Sequence, residues 1–304
     1  MMKKHKTEFG DKLFKWLTAA FAVAVITLFA AIIIVLSQQS WLAIKTFDFS
    51  FLVSTDWNPV TKRFGALIPV AGTLITTAIA LLVAVPMSVG IALFLAELAP
   101  KWLQTPFGVA IELLAAVPSI VYGMWGLFVL SPLMANYVQP IIKTLFGKLP
   151  LFSGPCMGIG MMTAGLVLAL MIIPFIASVI RDVFLMVPKQ LKESAYGLGC
   201  TTWEVVQDVM IPYGKKGIAS AVFLGMGRAL GETMAVTFVI GNSYSLSWSL
   251  FAPGNSIAST LANEFTEADG ELYLSSLVEL GLVLFVITFI VLGIAQLYLR
   301  RSRG

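Results

Sequence analysis

Two charged residues stand inside an otherwise apolar stretch, and they are the first place in this chain where chemistry could occur. Arg228 is the eleventh residue of the 23-residue run Ile218 to Ile240, and Glu232 follows four positions later. At about 1.5 Å of rise per residue, Arg228 lies near the midplane of a bilayer if this run crosses one. An arginine there costs on the order of 2.5–3.5 kcal/mol on insertion scales, so its guanidinium must face a partner or a polar cavity and not lipid. A continuous helix puts residues four apart on one face, which allows two readings of the pair. In one, Glu232 neutralises Arg228 and the two lock helices together. In the other, the guanidinium offers paired hydrogen bonds to a small oxyanion and stays charged at any physiological pH. Glu232 then holds the arginine when no anion is present and competes with the anion, leaving the site weak enough to release. Gly225, Gly227 and Gly231 leave this face uncluttered, although small residues are also ordinary packing devices between membrane helices.

Other candidates are sparse. Glu112 and Glu279 lie near the ends of apolar runs, where a modest reach brings a carboxylate to the interface. His5 is the only histidine and belongs to a basic leader, and Cys156 and Cys200 are far apart, so neither a metal site nor a cofactor is expected. No Gly-x-x-x-x-Gly-Lys-Ser/Thr phosphate loop occurs, so any ATP consumed is bound by a partner chain. No nucleophile, base and orienting group can be placed together. No catalytic residue is assigned, and the chain reads as something other than an enzyme.

The elements that must position these residues are membrane helices. Of 304 residues, 58% are hydrophobic and 12% charged, about half the charged share of an ordinary globular chain, which excludes a soluble enzyme. The mean hydropathy of +0.91 comes from six apolar stretches, Trp16 to Leu36, Val70 to Ala96, Phe107 to Leu130, Gly158 to Ile180, Ile218 to Ile240 and Ser276 to Leu297. Each is long enough to cross about 30 Å of hydrocarbon. A chain in hydrocarbon must satisfy its own backbone polar groups, and the alternation of a barrel strand is absent, so an all-α integral membrane protein with six transmembrane helices is expected. The first stretch follows Lys3, Lys4, Lys6, Lys12 and Lys15, and its 21 residues exceed the roughly 7–15 of a signal peptide, so it reads as a retained anchor. The chain then divides into a leader (1–15), an anchor (16–36), a membrane domain (65–297) and a basic tail (298–304), with no internal repeat.

Orientation follows from the basic residues. The leader, the tail and the segments 97–106 and 181–217 hold 14 Lys and Arg, whereas the alternate loops hold 5. Positive charge collects on the cytoplasmic side, which places both termini there and makes the acidic segment 241–275 extracytoplasmic. The net charge of +4 is too small to imply a nucleic-acid partner. Pro86, Pro118 and Pro174 interrupt apolar runs, with Gly123 and Gly126 close behind Pro118. Such breaks either kink a packed helix or open it toward a cavity. In the outer segment, Pro253 to Phe265 suits a short helix at a pathway mouth with Asn255 as its cap.

Between the fourth and fifth stretches, residues 188–212 are too polar to span and strongly punctuated. Pro188 suits a first helical turn, Gly197 and Gly199 can end that helix, Thr201 with Glu204 forms a capping-box pattern for a second, and Pro212 closes it. Two short helices on the cytoplasmic face make a rigid protrusion for a soluble partner. Glu193-Ser194-Ala195, then Gly199, then nine residues and Val209-Met210-Ile211-Pro212 closely resemble the EAA loop of bacterial ABC importer permeases, with conservative departures at Ser194, Val209 and Ile211. The stretches Ile111 to Gly123 and Gly227 to Asn242 look like the C-type permease subunits of bacterial phosphate importers.

That resemblance implies a type I (MetI-like) ABC permease fold in the bacterial inner membrane. It also implies a second, related permease, a dimer of cytoplasmic ATPases, an external phosphate-binding protein and surrounding lipid. Glu193, Ser194, Ala195 and Gly199 would meet the ATPase, and Arg228 and Glu232 would line the phosphate pathway. Sulfate, molybdate and phosphonate permeases share the coupling loop. An ion-coupled carrier using Arg228 and Glu232 as a relay is opposed by that loop and by the lack of repeats.

Overall fold

The computed structural model describes residues 2–301. Met1, residues 302–304 and the side chains of 2–9, 298, 300 and 301 lie outside the described part, and with them the leader charges Lys3, Lys4 and Lys6, His5, and the tail arginines Arg300, Arg301 and Arg303. Among the described residues the regular structure is helical apart from one isolated bridge, Asn58 to Arg63. The order is α1 (Met2–Gln39), α2 (Trp41–Phe47), α3 (Leu67–Leu98), α4 (Lys101–Ala115), α5 (Ser119–Phe146), α6 (Met161–Leu185), α7 (Lys189–Gly197), α8 (Thr202–Leu230), α9 (Met234–Ile240), α10 (Ile257–Glu264) and α11 (Glu271–Arg301). Helices α1, α3, α5, α6 and α11 each contain a stretch long and apolar enough to cross a membrane, and α8 with α9 make a sixth crossing if the bent pair is one span.

Helix α6 is the axis, packed by α3, α4, α8 and α9. Leu168, Ile172, Ile176 and Ile180 recur every fourth residue and are fully buried, forming the stripe on which the neighbours meet. Lipid tails are as apolar as these side chains, so close packing and not transfer from water holds the stripe together. Gly165 permits it, since a Cβ there would meet Ile79 Cγ2 at 2.6 Å and Thr76 O at 3.2 Å. Helix α1 stands at the periphery with its apolar side chains exposed, touching α11 through Phe29 and Phe285. The Ser275 hydroxyl of α11 ties its end, donating to Gln39 O at 2.7 Å and accepting from Ala43 N at 3.0 Å.

The third crossing departs from the apolar run Phe107 to Leu130. Residues 107–115 belong to α4, and the crossing helix is α5, from Ser119 to Phe146. Pro118 has no N–H to give and disfavours helix at the residue before it, so it opens α5 instead of kinking a span. Residues 131–146 read as a loop because they hold Ser131, Gln139 and Lys143, yet Ser131 and Gln139 are buried, and Gln139 Oε1 accepts from Gly158 N at 3.0 Å.

Pro100, Pro132, Pro140 and Pro212 share one local device. The residue before each donates its N–H five residues back, Ala99 to Phe94, Ser131 to Gly126, Gln139 to Met134 and Ile211 to Val206, making a π-helical turn. A widened turn removes the clash between the proline ring and the carbonyl four residues earlier. At Pro100 the helix ends, but at Pro212 it continues. The second loop helix therefore does not close at Pro212 and runs unbroken into the fifth crossing. In the outer segment the cap of α10 is Ser256, whose Oγ accepts from Ser259 N at 3.1 Å, and not Asn255, which is buried with its carbonyl against Gly72.

Candidate functional site

The fifth crossing is broken where its two charges lie. Helix α8 ends at Leu230, residues 231–233 leave the helical path, and α9 continues at 62° to α8. Arg228 is thus in the last turn of α8, while Glu232 lies in the break. The expectation that the two share one helix face fails, because the face ends at Gly231. Among the described residues no ion pair joins them. Glu232 Oε1 instead accepts from Ala235 N at 3.2 Å, satisfying one of the donors that a new helix leaves open and placing a negative charge at its positive end. The half-buried Arg228 guanidinium lies 5.5 Å from the centre of the Phe175 ring on α6, a cation–π contact that leaves its hydrogen-bond donors for another acceptor. A positive group beside a helix break, with no carboxylate upon it, can receive an anion.

Helix α5 holds the bend in place. A Cβ on Gly123 would meet Phe238 Cδ2 at 2.8 Å and Ala235 Cα at 3.0 Å, and one on Gly126 would meet Val167 Cγ2 at 2.6 Å. These glycines are close-approach points against α9 and α6, not kinks. The glycines near Arg228 divide in the same way. Gly225 is a notch for Ile176, whose Cδ1 a Cβ would meet at 2.5 Å, while Gly231 at the break is exposed and a Cβ there would meet Gly227 O at 3.9 Å, an ordinary contact.

The loop between α6 and α8 folds from its own sequence. After α7, Gly199 N donates to Tyr196 O and Cys200 N to Ala195 O, with Gly199 at φ +90°, a Schellman ending. Gly197 is only the last helical residue. Thr201 then caps α8, its Oγ1 accepting from Glu204 N while Glu204 Oε2 accepts from Thr201 N at 2.7 Å. Glu193, Ser194 and Gly199 are exposed and Ala195 is half-buried, with Leu198 and Trp203 exposed beside them.

Three acidic positions carry what the linear reading missed. Glu97, at the end of α3, accepts from Lys192 Nζ at 2.7 Å and Tyr196 Oη at 3.1 Å, tying α7 to α3. Its signal is a lone carboxylate just before Pro100, facing a basic loop. Glu112 pairs with Arg181 of α6 at 3.1 Å, and Gly108 makes room for that guanidinium. Glu279 does not extend to the protein surface. It is buried, and its Oε2 has no hydrogen-bond partner among the described residues.

Residues 88–304 match the family described as "Binding-protein-dependent transport system inner membrane component". The chain is 57% identical to the phosphate transport system permease protein PstC of Mesorhizobium japonicum, over 96% of this chain and 90% of that one. It is 59% identical to the protein of the same name from Pasteurella multocida, over 96% and 92%. Among solved structures, a bacterial ABC transporter involved in import of the acidic polysaccharide alginate aligns with TM-score 0.64 at 15% identity, covering 96% of this chain and 98% of that one. The methionine transporter MetNI aligns with TM-score 0.51 at 14% identity, covering 76% and 91%. At such identities these structures speak to the fold alone. The resemblance read from the motifs and the all-α ABC importer permease fold are borne out.

Proposed function

The chain belongs to the family of binding-protein-dependent transport system inner membrane components, and from that premise we propose that it is the permease subunit of an ATP-driven phosphate importer. The observation that carries the substrate is near-full-length identity of 57–59% to phosphate permeases. The chain is a multi-pass inner-membrane protein that transports and does not catalyse. ATP is hydrolysed by a cytoplasmic ATPase dimer, an external binding protein delivers phosphate, and a second, related permease completes the pathway.

The geometry supports a division of labour. Glu193, Ser194, Ala195 and Gly199 form the face that enters the ATPase. Because α8 runs unbroken from Thr202 to Leu230, displacement of the loop reaches Arg228 along one helix, about 40 Å away at about 1.5 Å per residue. Arg228 contacts the anion at the bend, and Glu232 serves the pathway by fastening the first turn of α9. Both termini and the coupling loop face the cytoplasm.

Two measurements test this reading. The assembled complex, reconstituted, should hydrolyse ATP faster with phosphate and its external binding protein. Stimulation only by sulfate or molybdate with their own binding proteins would reassign the substrate. In sealed cells, a cysteine replacing the exposed Trp248 should react with an impermeant thiol reagent and one replacing Lys192 should not. Labelling at 192 from outside overturns the orientation.

A further inference from the structure

At the end of the molecule away from the coupling loop, a carboxylate sits where helix physics alone would not put it. Glu264 is the last residue of α10, where unpaired carbonyls already concentrate negative charge. Donors from three other segments converge on it. Trp57 Nε1 of the segment before α3 donates to Oε2 at 2.5 Å, Tyr273 Oη of α11 donates to the same oxygen at 2.6 Å, and Tyr244 Oη of the connector after α9 donates to Oε1. The rings extend the network, with Trp57 stacked on Tyr244 at 5.5 Å and Phe64 on Tyr273 at 5.1 Å between centroids. Burial and the neighbouring carboxylate push the Tyr244 phenol well above its ordinary range, so it remains a donor. Hydrogen bonds to a charged acceptor are about twice as strong as neutral ones.

A second layer fastens the same elements. Asn242, just past the end of α9, accepts from Ser259 Oγ of α10 at 2.6 Å, and Thr73 Oγ1 of α3 accepts from Ile257 N at 3.0 Å. Helix α9 is seven residues long, hinged at the break beside Arg228 on one side and tied to α10 on the other. Tyr244 on Glu264 and Asn242 on Ser259 tie its outer end to α10, beside the backbone bonds from Gly160 N to Val239 O at 2.9 Å and from Gly254 N to Ile240 O at 3.0 Å. A cavity of about 550 Å³ borders Trp57 and Tyr244, so the stacked rings have space into which they can part. Trp57 and Phe64 precede the residues, 88–304, that match the family. The fastening is therefore built partly from a segment outside the family pattern.

We propose that Glu264 is a positioning residue for transport, the hub of an outer latch that holds α9 and α10 closed beside the bend at Arg228 and releases when the outer end opens to admit the anion. The proposal rests on the importer reading above. A contact made in only one of two conformations sets their populations, so weakening it shifts the chain toward the other. Glu264→Gln keeps the shape but presents an amide's own donors to a site already filled with donors.

The test uses the assembled complex in membranes, with Cys156 and Cys200 replaced by serine and a single reporter cysteine at the half-buried Thr237 of α9. Glu264→Gln should raise the rate of labelling at 237 by an impermeant thiol reagent about tenfold, as expected for losing a charge-assisted bond. Tyr273→Phe and Trp57→Phe should raise it less. A cysteine at Ala169, buried on α6, should stay protected, which separates opening from unfolding. An unchanged rate at 237, or a parallel rise at 169, overturns the latch. The labelling does not require transport, so failure of the wild-type complex to take up phosphate would count against the importer reading and not against this one.

Discussion

At the turn between α7 and α8, the stabilising bonds of the turn itself join residues no more than five apart, from Gly199 and Cys200 back to α7 and between Thr201 and Glu204. At the break between α8 and α9, local bonds such as Ala235 N to Glu232 Oε1 and Thr237 Oγ1 to Thr233 O are joined by contacts from distant elements. Gly231 is at φ −94°, Thr233 makes no side-chain cap, and the bend is held by Phe175, Gly123 and Ser259 from three other elements. Both interrupt a helix with a glycine and a nearby glutamate. One is closed by bonds within its own segment. The other takes its angle from side chains of three neighbouring elements.

The comparison predicts different responses to substitution, and the largest lies at the loop. Glu193→Lys and Gly199→Trp should leave the chain inserted but reduce uptake to background and lose the copurifying ATPase. Among the described residues no atom would obstruct a Cβ at Gly199, so the defect would lie in docking and in the strain of a left-handed residue, about 1–2 kcal/mol. Normal uptake in both variants would deny the loop its coupling role. At the bend, Arg228→Gln should lower uptake by about 10- to 100-fold with normal complex yield, the range expected for one charge-assisted bond. The double variant with Glu232→Gln should not recover, since the two do not pair. Recovery of uptake would show that they act as a structural couple.

Smaller effects sharpen the contrast. Gly123→Ala places a methyl against the backbone of α9 and should destabilise the solubilised complex by about 1–3 kcal/mol, read as a lower melting temperature. An unchanged melting point would mean that α5 does not set the bend. Glu232→Gln retains an acceptor for Ala235 N but removes the charge, worth about 0.3–1 kcal/mol at a helix start. Uptake should fall only two- to fivefold. A loss as severe as that of Arg228→Gln would place the Glu232 charge in direct contact with the cargo route.

The coupling loop was legible in the sequence because its determinants are local. A glycine needed at positive φ, a threonine three residues before a glutamate and a proline ahead of a helix specify their turns with little help from elsewhere. The apolar runs were legible for a similar reason, since a bilayer demands length and hydrophobicity of each crossing separately. The frame of the third crossing was not, because Gln139 and Ser131 are polar by composition and buried only through packing. The widened turns before Pro132, Pro140 and Pro212 were missed because a proline by itself signals a helix end as readily as a local rearrangement. Apolar periodicity across Ile218 to Ile240 also runs through the break without a mark. Its angle follows from the close approach of α5 at Gly123 and the ties of α9 to α10, and Glu232 turns from Arg228 to the N-terminus of α9 because the helix ends between them. Sequence alone therefore determined how many apolar stretches the chain carries and how the loop before α8 turns, through composition and through bonds closed within a few residues. Tertiary structure decided where a crossing bends and what its charges face, because those choices depend on side chains brought together from distant parts of the chain.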